Sequence, residues 1–117
     1  LSNESIDGLR NSLLQANRLE EQIQKNLLLA RSLIQRGFLT EPPYANAVET
    51  LLSVQRLDSD NEEATLLLEE IAVKLASIAE KAWEAGLQLE AVKYINLALA
   101  LDTERENWKR WKAEWER

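Results

Sequence analysis

Apolar residues in the first third of the chain fall at Ile6, Leu9, Leu13, Ala16, Ile23, Leu27, Ala30 and Ile34. The steps alternate three and four, with one interruption at Glu20. That spacing keeps the side chains on a single seam, so it predicts one long helix with a heptad stripe. Leu14, Leu19, Leu28, Leu29 and Leu33 widen the stripe, mostly after Ile23. The wider half therefore calls for more than one neighbouring helix, and the narrower first half for a two-helix contact. No Pro interrupts Ser5 to Arg36, and Gly37 follows the last periodic residue, where glycine closes a helix in the left-handed conformation.

Four further helices follow from the same periodicity. Pro42-Pro43 is expected to open the second, because a first turn does not need the missing N–H groups. Its apolar face reads Tyr44, Ala47, Val48, Leu51, Leu52 and Val54, ending near Leu57. Residues 58–61 form a turn in which Ser59 with Glu62, or Asp60 with Glu63, has capping-box spacing. The third helix spans about Asn61 to Ala85, with Leu67, Leu68, Ile71, Leu75, Ile78, Ala79, Ala82 and Trp83 as its stripe, and Gly86 closes it. The fourth spans about Leu89 to Leu101 and buries Ala91, Val92, Ile95, Ala98 and Leu99. Thr103 and Glu106 are another capping-box pair, and a fifth helix carries Trp108, Trp111 and Trp115. No segment alternates with the period of two that a half-buried strand requires.

The helices repeat. Ala47-Val48, Leu51-Leu52, Val54 and Leu57-Asp58 register on Ala91-Val92, Ile95, Ala98 and Leu101-Asp102 at a shift of 44 residues, Ala47 onto Ala91. Leu29-Ala30, Leu33 and Gly37 register on Ile78-Ala79, Ala82 and Gly86 at a shift of 49, Gly37 onto Gly86. With Leu75 and Ala91-Ile95-Ala98 beside them, these small and large positions resemble the tetratricopeptide repeat, in which small residues let helix backbones approach and large ones fill the adjacent gap. The period exceeds the usual repeat of about 34 residues, and Ser59 and Thr103 stand where the pattern closes on Pro. The resemblance covers residues 26–117. It implies an all-α chain of stacked antiparallel helix pairs, a short α-solenoid. The expected organisation is a single domain over 1–117, with a heptad-patterned extension over 1–25, helix pairs over 26–57 and 61–101, and a capping helix over 103–117. Arrays with a long loop and extended helices resemble domains of larger bacterial envelope or signalling proteins. Cytoplasm and periplasm remain equally open.

Composition supports the class and narrows the chemistry. Leu and Ala dominate the 45% of apolar residues, while Gly, Pro, Phe and Tyr are few, which favours helix over sheet. The chain has no His and no Cys, so the commonest general base, the thiol nucleophile and the thiolate metal site are all missing. The carboxylate pairs Glu20-Glu21, Glu62-Glu63 and Glu69-Glu70 are sequential, and neighbours on a helix diverge by about 100°, so they read as solvated faces. Asp58, Asp60 and Glu62 lack the spacing and central Gly of a calcium loop. No catalytic residue, cofactor or metal site is expected, and the chain is read as no enzyme. The net charge of −6 opposes nucleic acid and anionic lipid. No apolar run reaches the roughly 20 residues of a membrane helix, so no direct membrane insertion is expected. Met is also absent and the chain opens on Leu1, which suggests a piece of a longer protein.

What survives is binding. The resemblance implies a protein–protein interaction or scaffold module that holds a peptide or protein segment against the first helix of each pair. The groove-facing residues it implies are Gln24, Arg31, Glu80, Trp83 and Lys109. Trp83 is either an exposed anchor or packed under its neighbour. Trp108, Trp111 and Trp115 share a face and are expected to close the array, Trp108 and Trp111 lying near Leu75, Ile78 and Ile95. The alternative is a structural spacer in which the N-terminal heptad helix pairs two copies as a homodimer. In either case the stretch before Ile23 needs a cover, from the N-terminal part of the third helix or from another chain.

Overall fold

A computed structural model describes residues 3–117, with side-chain environments from residue 6 onward; the opening of the expected 1–25 extension, Leu1 included, lies outside the described residues. Five α-helices and no strand occur among the described residues: α1 (Asn3–Gln35), α2 (Ala47–Leu57), α3 (Glu62–Glu84), α4 (Gln88–Leu101) and α5 (Glu106–Trp115). Helix makes up 79% of the structure, so the protein is all-α. The described residues divide into two compact units, one ending at Ala64 and the other spanning Thr65–Arg117.

In the first unit α1 packs against α2. Ile23, Leu27, Ala30 and Leu33 from α1, Leu39 from the connection, and Ala47, Leu51 and Val54 from α2 are buried. These α1 positions continue the seam read from the sequence, and the α2 positions follow the steps of four and three that line one helical face. Gly37 has φ +81° and closes α1. The Phe38 N–H donates to the Leu33 carbonyl at 2.9 Å and the Gly37 N–H to the Ile34 carbonyl at 3.0 Å, which satisfies carbonyls that the helix end would leave orphaned.

The second helix begins later than the proline pair suggested. Pro42-Pro43 lies in the connection, Glu41–Pro42 is a cis peptide, and Tyr44 sits at φ 67° with 95% of its surface exposed, so it does not belong to the helix face. Asn46 is the true N-cap. Its side-chain oxygen accepts from the Glu49 N–H at 2.9 Å, and its Nδ2 donates to the Pro42 carbonyl at 3.0 Å. The Ala47 and Val48 N–H groups donate back to the Phe38 and Leu39 carbonyls. All the donors of the first turn thereby find acceptors, which is what a buried helix start demands. Asn46 is itself buried, tolerable because both ends of its amide are bonded.

In the second unit Leu68, Ile71, Ala72, Leu75, Ala76 and Ala79 from α3 are buried, with Ala91, Ile95 and Ala98 from α4 and Trp108 and Trp115 from α5. α4 packs against α5. Gly86, at φ +81°, ends α3 as Gly37 ends α1, with the Leu87 N–H donating to the Ala82 carbonyl at 2.9 Å. Two capping assignments change. Asn61, rather than Ser59 or Asp60, caps α3 by accepting from the Ala64 N–H at 2.9 Å. Thr103 does not cap α5: Arg105 holds the N-cap position without a side-chain cap bond. The Asp102 carboxylate organises that turn instead, accepting from the Glu104 N–H at 3.3 Å and the Arg105 Nε at 2.9 Å. An Asp side chain that accepts from the N–H two residues on makes a local turn of its own ahead of the helix.

Candidate functional site

Two surfaces stand out, one in each unit. In the first unit an open groove of about 440 Å³ is lined by Asn26 and Leu29 of α1, by Tyr44 of the connection, and by Glu49, Thr50, Leu52, Ser53 and Arg56 of α2. Glu49, Leu52, Ser53 and Arg56 follow steps of three, one and three and so share one face of α2. Leu29 and Leu52 bring exposed apolar surface. The polar members are tied to one another. Ser53 Oγ donates to the Glu49 carbonyl at 3.0 Å and accepts from Arg56 Nη2 at 2.8 Å. The Tyr44 N–H donates to the Glu49 carboxylate, and Thr50 Oγ1 donates to the Asn46 carbonyl at 2.8 Å. The Arg56 guanidinium is thus steered by one bond and keeps further N–H donors in its fixed fork. The groove can take an apolar side chain against Leu29 and Leu52, and an acceptor near Arg56.

In the second unit three indoles stack. Trp115 is 4% exposed and lies between Trp83, at 5.2 Å between centroids and 14° between planes, and Trp111, at 5.6 Å and 20°. Its carbonyl accepts from Gln88 Nε2 at 2.8 Å, which ties the end of α5 to the start of α4. Trp108 is buried separately, with the Arg105 guanidinium over its ring at 4.7 Å. The buried face of α5 is therefore carried by Trp108 and Trp115. Trp111 is half-buried at the edge of the stack, and Ile78, expected beneath the cap, is 39% exposed.

The five residues expected to face a groove are placed as follows. Gln24 is exposed on α1 and donates to Glu20 Oε1 at 3.1 Å. Arg31 is half-buried on the same helix and forms an ion pair with Glu63. Glu80 is exposed on α3, and Lys109 is exposed on α5 and pairs with Glu106 at 3.3 Å. Trp83 is 38% exposed with one face against Trp115. None of the five lines the 440 Å³ groove. Sequence reasoning missed that groove because Tyr44 and Leu52 had been assigned to the buried face. The adjacent pair Leu51-Leu52 carried the signal: neighbours on a helix point about 100° apart, so only one of them faces the core.

Among the described residues no group of three or more Asp or Glu side chains is arranged to hold a metal ion, and no helix is long and apolar enough to cross a membrane. Comparison with protein-family models, with curated proteins and with solved structures finds no match to this chain.

Proposed function

We propose that the protein is a non-catalytic interaction module of the tetratricopeptide-like kind, a scaffold domain that holds a short protein segment. The groove over α1 and α2 is the observation that carries this reading. It combines two partly exposed leucines, a fully presented Tyr44 and a steered Arg56. Peptide-binding surfaces are built from such a mixture: apolar contact supplies affinity, and a few placed polar groups supply orientation. The segment that fits is short and amphipathic, with an aliphatic residue for Leu29 and Leu52 and a carboxylate for Arg56, since guanidinium–carboxylate pairs are strong and directional. The paired Gly37 and Gly86 helix ends and the repeated Ala-rich contacts support the resemblance to stacked helix pairs.

The test is selection from a displayed library of random 12-residue peptides, followed by backbone amide shift mapping of an enriched peptide. Enriched peptides with an aliphatic and an acidic residue are expected, with shifts centred on Leu29, Leu52 and Arg56. Leu52→Glu and Arg56→Glu should each weaken binding at least tenfold. Failure to enrich any sequence, or shifts that map elsewhere, overturns this reading.

A further inference from the structure

The seam of α1 changes state at Ile23. From Ile23 to Ala30 it is buried and at Ile34 half-buried, while every described side chain from Ile6 to Gln22 is exposed. Leu9 is 69% and Leu13 66% exposed, and Ile6, Leu14 and Leu19 are between 39% and 48% exposed. So many uncovered aliphatic residues on one helix mark an interaction surface rather than scattered surface leucines.

We propose that residues 6–16 of α1 pair with the same residues of a second copy, as an antiparallel two-helix coil centred between Leu9 and Leu13. This pairing does not depend on the peptide groove. Three observations select the occupant. First, the bare positions Ile6, Leu9, Leu13 and Ala16 keep the alternating three-four spacing of a two-stranded coil. About a centre between Leu9 and Leu13 they are self-complementary, as a two-fold interface must be: Leu9 meets Leu13 of the second copy, and Ile6 meets Ala16. Second, the paired stretch carries both signs, with Asp7 and Arg10, so a like segment is not repelled as it would be by a single-sign face. Third, the uncovered stripe is short, and pairing two of them buries on the order of 1,000 Å², near the lower limit for a specific interface. An interface at that lower limit belongs to the weak, transient class, so the self-pair forms at high protein concentration.

Orientation follows from Glu20. In a parallel pair, Glu20 of each copy faces the same residue of the other at a seam position, and like charges there destabilise. Both chains would also arrive together at Ile23, where the seam is already covered. In the antiparallel pair, bare residues meet bare residues and Glu20 falls outside the overlap.

The experiment is sedimentation equilibrium of the chain from about 10 µM to 1 mM, followed by cross-linking. Concentration-dependent dimer is expected, weakened at least about 100-fold in Leu9→Gln/Leu13→Gln, which removes four buried leucines per dimer. Gln is a good helix former, so the variant should keep its thermal midpoint. The chain has no Cys, so introduced thiols report cleanly. A mixture of Leu9→Cys and Leu13→Cys chains should form a mixed disulfide faster than either chain forms its own. Monomer throughout, or a dimer unaffected by the Gln variant, overturns the pairing. Faster self-cross-linking of either variant overturns the antiparallel arrangement.

Discussion

Replacing Trp115 by Ala is expected to be among the most costly single changes in the second unit. The indole is 4% exposed and stacks with two other rings, at 5.2 Å from Trp83 and 5.6 Å from Trp111. Truncating a buried Trp to Ala typically costs about 3–5 kcal/mol through lost transfer energy and the cavity left behind. Trp115 is the last residue of α5, so the chain there can relax inward, and the lower end, about 3 kcal/mol, is the figure to expect. Against a domain stability of about 5–15 kcal/mol, that moves the urea midpoint by roughly 1–3 M for a typical small-domain slope. Trp83→Ala removes one stacking contact and the burial of a side chain that still keeps 38% of its surface in water. Its cost should be about 1–2 kcal/mol, since an aromatic pair contributes about 0.5–1.5 kcal/mol beyond its area. Urea unfolding followed by far-ultraviolet ellipticity measures both. The Trp83/Trp115 double-mutant cycle should return a coupling of about 0.5–1.5 kcal/mol. A Trp115→Ala chain within about 0.5 kcal/mol of the parent, or a larger loss from Trp83→Ala than from Trp115→Ala, refutes the placement of Trp115 at the centre of the stack.

Three other outcomes are expected. Asn46→Ala should lower stability by about 1–2 kcal/mol in urea unfolding, because it removes the N-cap acceptor and one of the two donors to the Pro42 carbonyl, which keeps the Ala45 N–H; Asn46→Asp, which keeps the acceptor, should lose less. Gly86→Ala at φ +81° should cost about 1 kcal/mol, whereas Gly8→Ala, inside α1 with open space at its Cβ, should raise helical ellipticity; equal effects of the two would contradict the left-handed helix end. The Arg31–Glu63 pair, with both side chains more than a third exposed, should give a double-mutant coupling below about 1 kcal/mol that shrinks in salt, and a larger, salt-insensitive value would place the pair in a drier environment.

Leu, Ala and a continuous helical period were enough to read the all-α class, the number of helices and the two glycine stops, because each depends on hydrogen bonds and side-chain spacing within a few residues. Gly37 and Gly86 were legible for that reason, and so were the buried seam residues Ile23, Leu27 and Ala30. The start of α2 was not legible. The proline pair is a good local signal, but the helix begins where its N–H groups meet the Phe38 and Leu39 carbonyls and the Asn46 amide, an arrangement made only once the connection folds back. The groove was misread for a related reason: periodicity marks Leu51 and Leu52 as apolar without choosing which one faces the core, and packing of α1 on α2 makes that choice. The same limit applies at both ends of the chain. Four tryptophans could be counted and three placed on one face, yet only the packed α5 puts Trp115 between Trp83 and Trp111 and leaves Trp111 at the edge. A heptad pattern states that a seam exists from Ile6 to Ile34; whether each part of it is covered depends on which helices lie beside it, and the covering stops at Ile23. Local sequence sets where helices form and which residues can face a neighbour, while burial is a property of distant segments brought together, and that is decided only in the tertiary structure.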